Sequence, residues 1–192
     1  MAIAFNRRGR HDIELVKRAI ERGDLGDIYH AKAFWMRRSG IPGLGSWFTN
    51  KDMAGAGSIL DIGVHALDRA LFLMNYPQPT TVSGALFAKF GTRGIGLGGW
   101  GSDIVSPQTG ARYDVDDLSW AFVRFANGTA LQFQVAWASH MAEQFFMELY
   151  GTEGAATIGN RDSVELYTTL NGQAAKVQVE IPNDPLGSYP RL

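Results

Sequence analysis

The chain has 192 residues, 45% of them hydrophobic and 19% charged, with a formal net charge of −1. A nearly neutral chain offers no global attraction for nucleic acid or an anionic membrane, so neither is expected as a partner. The absence of cysteine excludes a disulfide framework, a thiolate metal site and a cysteine nucleophile.

No stretch reaches the ~18 apolar residues of a membrane-crossing helix. The start, MAIAFNRRGR, lacks the apolar core of a signal peptide, so a cytoplasmic location is expected. In chain order, residues 3–6 form a short apolar run that reads as the end of a strand. Residues 11–21 read as a helix with Ile13, Val16 and Ile20 on its apolar face and Gly23 as its stop. Residues 28–36 alternate as a strand, with Ala31, Ala33 and Trp35 on one face. Residues 38–50 form a loop containing Trp47 and Phe48. Residues 54–74, AGAGSILDIGVHALDRALFLM, read as one long buried helix with a glycine-rich lead.

Strands are expected at 81–90, 118–125, 129–139, 145–150, 155–158, 163–169 and 176–181. A long glycine-rich connection occupies 91–112. Asn127-Gly128 suits a type I′ turn, and Asn171-Gly172 turns a second hairpin. Two early helices followed by antiparallel strands predict an α+β domain: an open-faced, largely antiparallel sheet with helices on one face. Gln132 and Gln134 share a strand face, which is therefore wet or a polar subunit interface.

Three polar side chains of the central helix, Asp61, His65 and Asp68, are spaced four and three apart. At about 100° per residue they share one narrow stripe. The spacing leaves three readings open: a solvated helix face, an incomplete metal site, or general acid/base chemistry with a carboxylate steadying and raising the pKa of a histidine. Residues 94–99, GIGLGG, match a dinucleotide fingerprint formally. No helical pattern follows them, so they read as a loop. Arg7, Arg8 and Arg10 form a basic cluster, either a solvated surface or an anion contact.

The D-x-G-x-H-x-x-D pattern of Asp61, Gly63, His65 and Asp68 resembles the central helix of the Gfo/Idh/MocA oxidoreductases. FNRR at residues 5–8, ERGDLGDIYHAKA, GIPGLGSWF, DVDDLSWAFVRFANGTALQFQVAWAS and ELYGTEGAA resemble further segments of that family in the same order. The resemblance implies a dehydrogenase of a sugar, inositol or related polyol that uses NAD or NADP. It implies His65 as the acid/base, Asp61 as its catalytic neighbour, and a lysine from another domain completing the site. Trp47 and Asp68 become candidate substrate contacts, Asp68 chiefly as a support of the helix, and Arg8 a candidate cofactor contact. No metal is implied.

The family's glycine fingerprint and E-K-P segment are not in this sequence. Residues 1–9 are therefore expected to be the last strand of a dinucleotide-binding domain, and 10–192 a substrate and oligomerisation domain that homo-oligomerises through its open sheet. Alone it is expected to bind no cofactor tightly and to be inactive, with the Asp61/His65 stripe more exposed to solvent than in a complete enzyme. The rival readings are a non-catalytic interaction module and a metal-dependent sugar isomerase or hydrolase.

Overall fold

The computed structural model describes residues 5–98, 112–159 and 163–181. Helix α1 (His11–Glu21) opens with Asp12 and Glu14 in its first turn and carries Arg18 in its last, complementing the helix dipole at both ends. Ile13, Val16 and Ala19 form its buried face. Strand β1 (Ile28–Met36) follows. Next come a 3₁₀ turn (Trp47–Thr49), a short helix α2 (Lys51–Ala54), a π-helical turn (Ile59–Gly63) and helix α3 (Val64–Leu73). The remaining strands are β2 (Pro79–Phe87), β3 (Leu118–Phe125), β4 (Ala130–Ala136), β5 (Gln144–Gly151), β6 (Ala155–Ile158), β7 (Val164–Leu170) and β8 (Gln173–Val179).

All eight strands form one sheet in the order β2-β3-β4-β1-β5-β6-β7-β8. Only β1 and β4 run parallel; every other neighbouring pair is antiparallel. The fold is the α+β open sheet expected, and its helices lie on one face. Strand parity explains which face. Ala31 and Ala33 of β1, Leu131, Phe133 and Val135 of β4, and Met147 and Leu149 of β5 are all buried. They form the core with Ile13 and Val16 of α1 and with Ala66, Ala70 and Leu73 of α3. Alanines on both sides let α3 approach the sheet closely. Burial of each large aliphatic side chain here contributes about 1.5–3 kcal/mol.

The other parity forms the open face. By register, Phe122, Gln132, Lys32 and Glu148 lie in one row across four strands; Trp120, Gln134, Phe34 and Phe146 lie in the next. Phe34 stacks on Phe146 with centroids 4.7 Å apart, and Lys32 donates to Tyr150 and pairs with Glu148, both at 2.9 Å. Among the described residues, no helix is long and apolar enough to cross a membrane.

Three expectations change. The single helix over 54–74 is interrupted: Gly55 takes φ +79°, and the segment re-enters helix through a π turn. Residues 6–9 form a 3₁₀ turn, so the strand expected at 3–6 does not include Asn6; residues 3 and 4 lie outside the described residues. The β3–β4 hairpin does not use a type I′ turn. Gly128 has φ +86° but Asn127 is not in the left-handed region, and Gly128 N–H donates to the Phe125 carbonyl. That is a three-residue loop with a glycine bulge. The β7–β8 hairpin is the type I′ case, with Asn171 at φ +51° and Gly172 at +78°. Most of the connection expected at 91–112, from residue 99 to 111, lies outside the described residues.

The start of the π turn is clamped to the sheet. Asp116, just before β3, accepts from Gly57 N–H (2.7 Å), Ile59 N–H (2.9 Å), Ser58 Oγ (2.6 Å) and Ser119 Oγ (2.7 Å). A Cβ on Gly57 would lie 2.0 Å from the Asp116 carbonyl oxygen. Gly57→Ala therefore forces the clamp apart. A loss of about 1–3 kcal/mol is expected from overpacking of this kind, measured as a lowered urea midpoint. An unchanged midpoint contradicts the clamp.

Candidate functional site

The π turn and α3 carry the polar stripe to the C-terminal ends of the parallel pair β1 and β4. Trp137 directly follows β4, is fully buried, and donates Nε1–H to Asp61 Oδ2 at 2.7 Å. Arg37 directly follows β1, and its charge acts on Asp61. His65 lies one turn further along, half-buried, with the ring of Phe5 set edge-on at 6.1 Å. Its Nδ1 is buried and has no hydrogen-bond partner among the described residues.

Asp68 has a different task. It is buried and accepts from Arg8 through both carboxylate oxygens, with Nε 2.9 Å from Oδ2 and the terminal nitrogen on Oδ1. The Arg8 guanidinium lies over Phe5, Phe72 and Tyr76 at 5.5–5.7 Å. The pair staples residues 5–9 across α3. So the three side chains of one stripe face three partners: Asp61 a tryptophan, His65 an aromatic edge, Asp68 an arginine. Among the described residues, no group of three or more His, Asp or Glu side chains is arranged to hold a metal ion.

The stripe is not a solvated face. Asp61 and His65 are both partly buried, and Asp68 is 7% exposed. This burial sets the protonation. Desolvation pushes Asp61 above the usual carboxylate range, opposed by the Trp137 hydrogen bond and by the Arg37 and His65 charges. Desolvation pushes His65 below its ordinary value, reinforced by Arg7 and opposed by Asp61. The carboxylate does favour the imidazolium, as the spacing implied, but burial outweighs it. His65 is thus held neutral at physiological pH, the form in which an imidazole accepts a proton.

Trp47 sits on the 3₁₀ turn before α2, 48% exposed, its ring stacked on Phe48 at 3.8 Å. Arg8 is committed to Asp68. The sequence reading singled out neither Trp137 nor Arg69. Parity along residues 131, 133, 135 and 137 placed Trp137 on the inner face; nothing local paired it with Asp61. Arg69 is 1% exposed and donates Nε–H to the His65 carbonyl at 3.1 Å.

These environments separate the two aspartates. An ionised Asp61 is disfavoured by folding, because its folded pKa is raised; its cost grows as pH rises through that pKa. Asp61→Asn still accepts from Trp137, so it should melt no lower than the parent at pH 7. Asp68→Ala strands Arg8 and should lose about 1.5–3 kcal/mol, the range for hydrogen bonds to charged groups. Thermal unfolding of the two variants checks the contrast; equal losses would contradict it.

The profile of the GFO/IDH/MocA C-terminal domain matches residues 13–157. D-glucoside 3-dehydrogenase of Escherichia coli (strain K12) is 33% identical over 189 residues, covering 96% of this chain and 50% of that protein. Levoglucosan dehydrogenase of Pseudarthrobacter phenanthrenivorans is 28% identical over 181 residues, covering 90% of this chain and 45% of that protein. The chain thus spans about half the length of these relatives. A solved levoglucosan dehydrogenase in complex with NADH and levoglucosan superposes with a TM-score of 0.73 at 24% identity, over 92% of this chain and 46% of that one. At that identity the superposition speaks for the fold. A profile spanning most of the residues, and a relative 33% identical along nearly all of them, show that this chain belongs to the GFO/IDH/MocA family, as its C-terminal domain.

Proposed function

We propose that this chain is the substrate and oligomerisation domain of a cytoplasmic NAD- or NADP-dependent dehydrogenase that oxidises a hydroxyl of a sugar or related polyol. The observation that carries the reading is the half-buried His65 beside the Asp61–Trp137 pair. Its buried Nδ1 has no partner among the described residues, and its titration is displaced toward the neutral base. The relatives are sugar dehydrogenases by name, which supports the same class.

When bound, NAD or NADP accepts the hydride released as the carbinol carbon becomes a carbonyl. The residues of this chain deal with the proton. The neutral His65 imidazole takes it from the substrate hydroxyl, and Asp61 steadies the imidazolium that forms. Trp137 orients Asp61 and shields it from water. The described residues fit the substrate side of such a site, and on this reading cofactor positioning falls to a separate dinucleotide-binding domain. The chain alone is therefore inactive, since positioning is a large share of the rate.

The open sheet face suits a second copy of the chain. It mixes aromatic rings (Trp120, Phe34, Phe146) with balanced charge (Lys32, Glu148) and amides, the composition of a self-complementary interface with little net charge.

In the full-length protein, His65→Ala should cut kcat/KM for oxidation about 10²–10⁴-fold, the range for loss of a general base. The sign of the pH effect follows from the lowered His65 pKa. The base form dominates above that pKa, so the acid limb of kcat/KM should inflect below pH ~6.5, the ordinary histidine value. A limb above that value, or full activity in the variant, removes His65 from the role. For the interface, Phe34→Glu should shift the mass measured by light scattering to that of a monomer; an unchanged mass excludes this face.

A further inference from the structure

A cavity of about 510 Å³ opens where β1 and β4 end, and the proton-transfer site proposed above does not use it. Arg38, two residues past β1, and Ser139 and His140, just past β4, line one part of it; Phe90, Ile95 and Glu143 line the rest. Its volume falls in the range of small-molecule sites. Chain continuity sets it beside His65 and Asp61. Arg38 directly follows Arg37, and Ser139 comes two residues after Trp137, the partner of Asp61. The Arg37 charge acts on both Asp61 and Glu143.

The walls are tied together by bonds between distant segments. Arg38 donates to the His140 carbonyl at 3.1 Å, and Ser139 Oγ donates to the Arg37 carbonyl at 3.2 Å. The Gly96 carbonyl accepts from the amides of Gly40 and Ile41, both at 3.0 Å. Gly96 has φ +78°, and a Cβ there would lie 2.6 Å from the Ala138 Cβ, so a residue without a side chain lets this wall close on the strand end. The Phe90 amide donates to Asp117 at 2.6 Å, which fixes its backbone. The Phe90 ring meets that of His140 with centroids 4.9 Å apart.

The lining pairs an apolar wall with separated charges. Phe90 and Ile95 supply the apolar surface. Arg38 and Glu143 are both exposed, both line the cavity, and no ion pair joins them. A guanidinium donates to hydroxyl groups and a carboxylate accepts from them. The two charges offset each other, which suits a neutral ligand better than an ion. A sugar ring has both matching features: a face of C–H groups that packs on an aromatic ring, and a rim of hydroxyls that donate and accept.

We propose that this cavity is the subsite for a second, neutral, hydroxylated ring, so that the preferred substrate is a disaccharide rather than a free monosaccharide, with Phe90 as the stacking platform and Arg38 and Glu143 as the hydroxyl partners. The proposal rests on the dehydrogenase reading above and narrows its substrate class. The two sites share the segments of Arg37 and Trp137, so a ring at His65 and a ring against Phe90 can belong to one molecule.

The test uses the full-length protein. Turnover of maltose, cellobiose and lactose is compared with that of D-glucose and D-galactose, with NAD and with NADP, and binding is followed by calorimetry. At least one disaccharide should exceed both monosaccharides in kcat/KM by about tenfold or more, the worth of one hydrogen bond to a charged group. Phe90→Ala and Glu143→Gln should each lower that ratio severalfold, chiefly by raising KM for the disaccharide. Glu143 is exposed, so its variant keeps the test open if Phe90→Ala does not fold.

Monosaccharides used as well as or better than every disaccharide overturn the proposal and leave the dehydrogenase reading standing. A disaccharide preference that survives both substitutions places the second ring elsewhere and also overturns it, as does the absence of both turnover and binding for every disaccharide. Calorimetric binding of a disaccharide that either substitution weakens, without turnover of any sugar, removes the dehydrogenase reading and keeps the subsite.

Discussion

The Asp116 carboxylate is the joint on which the arrangement depends. It takes two backbone N–H groups and two hydroxyls, joining the segment before α3 to the start of β3. The segment it grips would otherwise be a glycine-rich lead with little to fix its course. Because Gly57 has no side chain, the backbone comes close enough for the carboxylate to reach two amides at once. Its neighbour Asp117 does the same for another loop, accepting from the amides of Lys89, Phe90 and Gly91. Two consecutive carboxylates thus position the chain on both sides of the strand that follows them. A buried carboxylate such as Asp116 is tolerated because both of its oxygens are bonded.

From that joint the π turn follows. A π turn carries one residue more per hydrogen-bonded loop than an α turn, and such turns recur where function needs a side chain re-aimed. Here it holds Asp61, which points to the buried indole of Trp137, while α3 proper begins just beyond and carries His65. The carboxylate and the imidazole remain electrostatic neighbours without being bonded to each other. That separation leaves His65 free to meet a substrate, and burial leaves it neutral.

The same helix is a boundary between two electrostatic regimes. On one side Asp68 neutralises Arg8 and fastens the residues before α1 to α3. One residue further on, Arg69 is buried against the Trp35 and Phe145 rings and donates Nε–H to the His65 carbonyl.

The sequence by itself determined most of the secondary structure and the class of fold. The bounds of α1, β1, β3 and β6 follow from local patterns of apolar residues and stop signals, which are short-range and strong. It also fixed which strand faces would be buried, because parity is a property of the chain alone. The Asp61, His65 and Asp68 spacing placed three groups on one stripe. Only the tertiary structure decided what each one meets, because Trp137 and Arg8 arrive from 76 and 60 residues away. The direction of the His65 shift was equally out of reach, since it turns on burial and on Arg7, neither of which spacing contains. The break before α3 and the bulged β3–β4 turn were decided the same way: long-range hydrogen bonding and packing overrode a local pattern compatible with either outcome.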